Sequence, residues 1–410
     1  MRDQLVKSAA MVAAALLMTA ACGTNKTEPA PGVGGAGQCD TSKGTLVVGF
    51  IAPLSGKLSA LGLGMRNSTD LAVSQANEKC AVKGYKLALQ AEDDTATAQV
   101  GAQAATKLSS SQNIIGVVGT LNSSVAQNVQ PILNDKKIMM VSPANTNPTL
   151  TRGENYATSP TRKYATYYRV CTTDAIQGPF AANYLFNKAG KKKVAVISDG
   201  KTYGKGLANE FKEKLQKLGG QIVAEETVGE NDTDFSGVIA KIKPTTPEAV
   251  YYGGEYPVAG PLSKQMKDAG MNIPVFGGDG IYDPKFISLG GKEGDLATSV
   301  GAPTESLASA KAFVDAYKAK SFKDDYSAYG AFSFDAANAI IGSVAKAIGD
   351  GSWGEDKRDA VLKNMNDYSA DGATGNIKFD QYGDSTNKLL TVYQVNGTAW
   401  KPIETGTYEG

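Results

Sequence analysis

The chain has 410 residues, 42% hydrophobic and 20% charged, enough for two or three domains of ~100–200 residues with cores of their own. Its 42 Lys and Arg balance 41 Asp and Glu to leave +1, and no basic run suggests a nucleic-acid partner. Histidine is absent, which removes the commonest general base, the Ser–His and Cys–His nucleophile pairs and the commonest zinc ligand together.

Residues 1–21 read as a signal peptide and are set aside from fold reasoning. Arg2 and Lys7 give a positive start, and the apolar stretch from Ala9 to Ala20 falls short of the ~20 residues that span a bilayer. It ends in Thr19-Ala20-Ala21-Cys22-Gly23, which resembles the lipobox of bacterial lipoproteins, with Thr19 where that motif usually has Leu. The resemblance implies that Cys22 is lipidated and becomes the mature N-terminus. The other reading is an ordinary secretory signal with Cys22 incidental. Residues 22–43 are polar and rich in Gly and Pro, so they cannot bury a core and read as a flexible tether. The expectation is an exported protein on the extracytoplasmic face of the cell membrane, touching it through an N-terminal lipid only.

An exported chain can keep disulfides. Cys39, Cys80 and Cys171 allow one pair with one left over, and none lies in a C-x-x-C. Cys39 lies just before the first expected strand and Cys80 at the end of the first helix, so a Cys39–Cys80 bridge is expected. A pairing with Cys171 is the rival.

The folded part begins with Thr45–Ala52, a β-branched run that reads as a buried parallel strand. A turn-rich loop from Pro53 to Gly64 precedes a helix through Leu71, Ala72, Gln75 and Ala76 that ends near Cys80. Tyr85–Ala91 is the second strand. Asp93, Asp94 and Thr95 are expected to cap a helix over Ala98–Leu108, and Ile114–Gly119 is the third strand. The rhythm then recurs. Lys193–Ser198 is a strand, Tyr203 to Gly206 a glycine loop, and a helix through Phe211 and Leu215 stops at Gly219-Gly220. Gln221–Thr227 is the next strand, Asn231 to Ser236 the expected cap, Val238 to Ile242 a helix, and Ala249–Gly254 a strand ending in glycine. Two similar α/β lobes with doubly wound parallel sheets follow. Ligands bind outside the carboxyl ends of such strands, so the loops after them face a shared cleft.

Those loops carry a resemblance. Pro53-Leu54-Ser55-Gly56, Gly119 with Ser123-Ser124, the run from Val141 to Leu150, Arg169 to Asp174 with Gln177-Gly178-Pro179, Asp199 with Tyr203 to Ala208, Asp234 to Ser236, and Tyr251 to Gly254 stand in order and spacing. Together they are similar to the type I periplasmic solute-binding proteins, in particular the leucine/isoleucine/valine-binding family of amino-acid ABC transporters. The resemblance implies a type I periplasmic binding protein fold with a three-segment hinge near Thr173, Pro303 and Leu389. One lobe would hold residues 44–173 and 303–388, the other 174–302 and 389–410. It also implies a monomer that is no enzyme, takes no cofactor or metal, captures a small-molecule ligand and delivers it to the permease subunits of an ABC importer. The alternatives are a ligand sensor on the same fold, or a binding protein for an amide or another small polar solute.

An amino acid's carboxylate suits hydroxyls and backbone N–H groups at a helix N-terminus, and its ammonium needs a fully hydrogen-bonded carboxylate once out of water. By resemblance, Ser123, Thr146 and the backbone at Ala144 hold the carboxylate and backbone groups. Asp279, between Gly278 and Gly280, stands where the family usually places Glu against the amine. Tyr203 approaches from the second lobe, and Leu61 and Leu121, with Asn122 beside them, line the side-chain pocket. The family commonly has an aromatic residue at the position of Glu255. Glu255 either faces outward to pair with a lysine, or faces inward and calls for a ligand with a second positive or hydrogen-bonding group. Tyr326, Tyr329, Phe332 and Phe334 read as core, with room for one tyrosine at the cleft rim.

Enzyme motifs fail in detail. Asp199-Gly200-Lys201-Thr202 ends like a P-loop, but the earlier glycine is replaced by Ala195. Gly62-x-Gly64 and Gly204-x-Gly206 have Asn67 and Asn209 where a dinucleotide fingerprint needs a small residue. The EF-hand-like run from Asp232 ends at Lys243 where a bidentate Glu is required.

Overall fold

A strand covered by helices on both faces must be apolar along its whole length, and the first strands obey that rule. In a computed structural model describing residues 39–408, β1 (Thr45–Ala52) buries every residue but Thr45 and the half-buried Val47, and β3 (Ile114–Gly119) is buried throughout. The signal peptide, the lipidation at Cys22 and most of the expected tether lie outside the described residues.

The first half continues with α1 (Ser59–Glu78), β2 (Lys86–Asp93), α2 (Ala98–Ser109), α3 (Ser123–Asp135), β4 (Met140–Ser142), α4 (Thr149–Arg152) and β5 (Tyr167–Arg169). Its five strands form an all-parallel sheet in the order β2-β1-β3-β4-β5. Next come α5 (Asp174–Asn183), β6 (Lys193–Ser198), α6 (Thr202–Lys217), β7 (Gln221–Thr227), α7 (Ser236–Ile242), β8 (Ala249–Gly253), α8 (Tyr256–Asp268), β9 (Val275–Gly277), α9 (Pro284–Ser288) and β10 (Leu296–Val300). The chain then gives α10 (Lys311–Ala319), α11 (Gly330–Ile348), α12 (Arg358–Asn366), β11 (Ser369–Gly372), β12 (Gly375–Lys378), β13 (Leu389–Asn396) and β14 (Ala399–Thr407). The second sheet runs β14-β13-β10-β9-β8-β6-β7, so its parallel part repeats the strand order of the first. Its edge is the antiparallel pair β13–β14 laid on β10, an extension absent from the expected parallel lobe.

The long apolar helix α11 returns to the first sheet and packs on α1, β3 and β4, while β13 and β14 belong to the second. The chain therefore passes between the two bodies three times: between β5 and α5, β10 and α10, and β12 and β13. Cys39 and Cys80 form a disulfide with Cα atoms 5.5 Å apart, tying the entry to β1 to the end of α1, and Cys171 is a free, buried thiol. Lys43 fixes the same corner, its N–H donating to Gly84 O at 2.8 Å and its Nζ to Gly351 O at 2.6 Å.

Two local expectations are corrected. The loop expected from Pro53 to Gly64 is shorter, because α1 begins at Ser59 and takes in Gly62 and Gly64. Gly62 belongs there for packing: a Cβ would stand 1.9 Å from Pro53 O, so only glycine lets the helix lie against that turn. Asp93 and Asp94 do not cap α2, whose N-cap position is Thr97. Asp93 instead holds the turn after β1, accepting from Leu54 N at 2.8 Å, and Asp94 accepts from Ala96 N at 2.8 Å. Near α7 the carboxylate of Asp234 does take the first helical N–H, Ser236 N at 2.9 Å.

Among the described residues no helix is long and apolar enough to cross a membrane, and no cluster of His, Cys, Asp and Glu could hold a metal ion.

Candidate functional site

In each sheet the strand order reverses once, between β1 and β3 and between β6 and β8. Such a reversal opens a crevice beyond the carboxyl ends of the strands, and here the two crevices share one cavity. From the first body come Leu61 on α1, Leu121, Asn122 and Ser123 at the β3–α3 turn, and Ala144 after β4. From the second come Tyr203 at the start of α6, Glu255 just before α8, and Asp279 after β9. The walls leave about 290 Å³ unfilled, counted together with space open to solvent. Of the residues singled out in the sequence, only Thr146 does not line it.

One end of the cavity offers a hydroxyl without a partner. Ser123 opens α3, and its Oγ is buried with no hydrogen bond, as is the amide oxygen Oδ1 of Asn122 beside it. Buried polar atoms are nearly always paired in a folded protein, and a helix N-terminus adds a field favouring an anion. The N–H of Ala144, which the resemblance assigns to the ligand, already donates to Ser142 Oγ at 3.2 Å.

The opposite end is anionic. Asp279 is 1% exposed and accepts three hydrogen bonds: from Gln177 Nε2 at 2.9 Å, Tyr203 Oη at 2.8 Å and Tyr329 Oη at 2.8 Å. Burial pushes its carboxyl above the usual range, and these three donors only partly offset that rise. Close backbone approach makes the arrangement possible. A Cβ at Gly278 would lie 2.5 Å from Tyr203 Oη, and one at Gly253 would lie 2.0 Å from Gly204 O, where α6 presses on β8. Behind Asp279, Asp174 donates its N–H to Thr146 O at 2.8 Å, and burial, then Asp279, raise its carboxyl well above normal.

Glu255 faces the cleft. Its Oε1 accepts from Asn122 Nδ2 across the gap, and it borders a second cavity of about 790 Å³, counted the same way, that includes Ser55, Lys57 and Asp199. Burial, then Asp199, push its carboxyl up to about 8 against the opposing pull of Lys201.

Sequence reasoning missed Gln177 and Gly280 as site residues and left Tyr329 within the aromatic core. Gln177 is reciprocal with Asp279: it donates from Nε2, and its Oε1 accepts from Asp279 N at 2.9 Å and Thr298 Oγ1 at 2.8 Å. Its signal was its place in Gln177-Gly178-Pro179. Tyr329 had a weaker one, its position immediately before the long apolar helix α11.

Two α/β bodies closed over a cavity with a hydroxyl pole and a carboxylate pole define a small-solute binding protein of the type I periplasmic fold, not an enzyme. The periplasmic binding protein family model matches residues 45–399, and the chain belongs to that family. It is 32% identical over 352 residues to a Leu/Ile/Val-binding protein homolog of Brucella melitensis, covering 85% of this chain and 91% of that one. Among solved structures it resembles the leucine-binding protein LivK of Thermotoga maritima, with 28% identity, a TM-score of 0.78, and 88% and 98% of the two chains covered. It also resembles the branched-chain amino acid transporter substrate-binding protein LivJ of Streptococcus pneumoniae in complex with isoleucine, with 26% identity, a TM-score of 0.77, and 88% and 99% covered.

Proposed function

We propose that the chain captures an α-amino acid, branched-chain or related, in its interlobe cleft and delivers it to the permease of an ABC importer as an exported, lipid-anchored monomer. The observation that carries this reading is the opposition of two poles: the unpaired buried hydroxyl of Ser123 at the start of α3 against the buried, donor-wrapped Asp279. A zwitterion satisfies both at once. The names of the Leu/Ile/Val-binding relatives agree with it.

Capture works by hinge closure. The lobes comprise residues 44–173 with 303–388 and residues 174–302 with 389–410, turning about segments near Thr173, Pro303 and Leu389. Hydrogen bonds that cross the cleft favour the closed form: Asn147 Nδ2 to Thr202 O at 2.7 Å, Thr202 Oγ1 to Gln127 Oε1 at 3.0 Å and Lys57 Nζ to Asn231 Oδ1 at 2.9 Å. Ligand shifts the population because it meets both poles only when the lobes are together.

A thermal-shift screen over the amino acids tests the reading. At ~100 times Kd a ligand that binds only the folded chain stabilises it by about 2.7 kcal/mol, a rise of a few degrees. Flat curves for every amino acid would remove the amino-acid reading and leave the fold untouched. Anchoring has its own test: Cys22→Ala is expected to move the protein from the membrane fraction to a soluble extracytoplasmic pool, and unchanged fractionation would refute lipidation there.

A further inference from the structure

Resting on the amino-acid reading of this cleft, we propose that the preferred ligand carries a nitrogen donor at the end of its side chain, a basic group above all, held by Glu255 and Asn122. Charge, geometry and space agree on this.

The cavity wall carries two carboxylates, Asp279 and Glu255, and no cation. An aliphatic amino acid brings one ammonium, which Asp279 takes, and leaves Glu255 enclosed beside an apolar side chain. Without a partner that carboxylate must either stay ionised at a desolvation cost or take up a proton, and a ligand cation removes that penalty. Among the described residues, the carboxylate of Glu255 accepts a single hydrogen bond, from Asn122, and forms no ion pair. Asn122 in turn keeps a buried Oδ1 with no donor. A ligand N–H aimed between these two side chains meets an acceptor on each.

The surroundings raise the demand for a cation. Asp199 borders the second cavity with Glu255 and acts on it as a like charge. Lys201 acts on Glu255 at a distance but gives its ion pair to Glu230, and Lys57 Nζ, at the second cavity, donates to Asn231 Oδ1 at 2.9 Å, so neither bonds Glu255. A guanidinium or ammonium beside Glu255 relieves that repulsion, and a fork of N–H donors suits a carboxylate best. Glu255 lines both cavities, so a ligand group bonded to it stands beside the larger one.

The test is calorimetric titration of the exported domain with three groups of ligands: leucine, isoleucine and valine; glutamine and citrulline; lysine, ornithine and arginine. At least one nitrogen-terminated amino acid is expected to bind tenfold or more tighter than leucine. Glu255→Gln should weaken that ligand at least tenfold and leave leucine bound as tightly or more tightly, and Glu255→Leu should reverse the preference. The ligand-free melting point of each variant separates loss of binding from loss of folding. Leucine, isoleucine or valine binding as tightly as every nitrogen-terminated ligand overturns this inference while the amino-acid reading stands. No binding by any of the three groups overturns both.

Discussion

Asp279 is held by side chains that lie far apart in the chain: Gln177 in α5, Tyr203 in α6 and Tyr329 at the start of α11. Gln177 and Tyr203 belong to its own body, whereas Tyr329 precedes a helix packed on the first sheet, so the carboxylate also joins the two bodies. If it is the counter-charge of the ligand ammonium, Asp279→Asn leaves that ammonium desolvated without a full partner. Breaking a buried pair from one side costs ~3–5 kcal/mol, or about two to four decades in Kd. Titration of the variant with the best ligand measures it, and an affinity within threefold of wild type would move the ammonium elsewhere. Asp279 was singled out by resemblance, because it stands where the family usually places Glu, whereas its place between two glycines speaks only for a turn. Of its partners only Tyr203 was placed at the ligand. Gln177 and Tyr329 reach it through the fold, and their local signals, a resemblance motif and a place before α11, do not announce the contact itself.

At the scale of elements, parallel strands were the easiest part to read. A strand such as Ile114–Gly119, buried on both faces, shows as an unbroken apolar run. The hairpin β13–β14 was not seen, because its second strand is largely exposed and Pro402 interrupts its alternation near a register shift. The start of α1 was missed for a related reason. Gly62 and Gly64 look like loop residues until the close approach of Pro53 O and Asp325 O explains them. The disulfide at the corner of the first body gives a test at this scale. It closes a separation of 41 residues, worth about 4 kcal/mol in the chain-entropy account. Replacing both Cys39 and Cys80 by Ala is therefore expected to lower the unfolding free energy by about that amount, read as a fall in the denaturant midpoint. The affinity for ligand should change less than threefold, since the bridge lies outside the cavity wall. A loss of affinity with an unchanged midpoint would contradict this assignment of roles.

For the whole molecule, buried carboxyls set the response to pH. Burial pushes Asp94 up to about 7, Asp335 to about 6 and Glu255 to about 8, and it raises Asp279 and Asp174 as well. Each therefore keeps a proton in the folded chain at a pH where the unfolded chain has lost it. Stability from these groups is complete below their ordinary values near pH ~4 and drains away as pH rises through the raised ones. Asp384 works the other way. Burial opposes its ionisation, but the guanidiniums of Arg169, at 2.7 Å, and Arg152, at 2.6 Å, outweigh burial and hold it below the usual range. Its contribution is present above pH ~4 and lost as pH falls through its lowered value. The ligand-free thermal midpoint is thus expected to peak near pH ~4, where both kinds of contribution are present, and to fall by several degrees toward pH 9. Glu255→Gln should coincide with wild type below pH ~4 and surpass it by a growing margin up to about pH 8, because over that range the unfolded wild type ionises Glu255 while the folded chain keeps its proton. A bound amino acid favours ionised Asp279, so saturating ligand should release protons and flatten the fall. Equal slopes with and without ligand, measured by scanning calorimetry in buffers of matched ionisation enthalpy, would show that the ammonium does not reach Asp279.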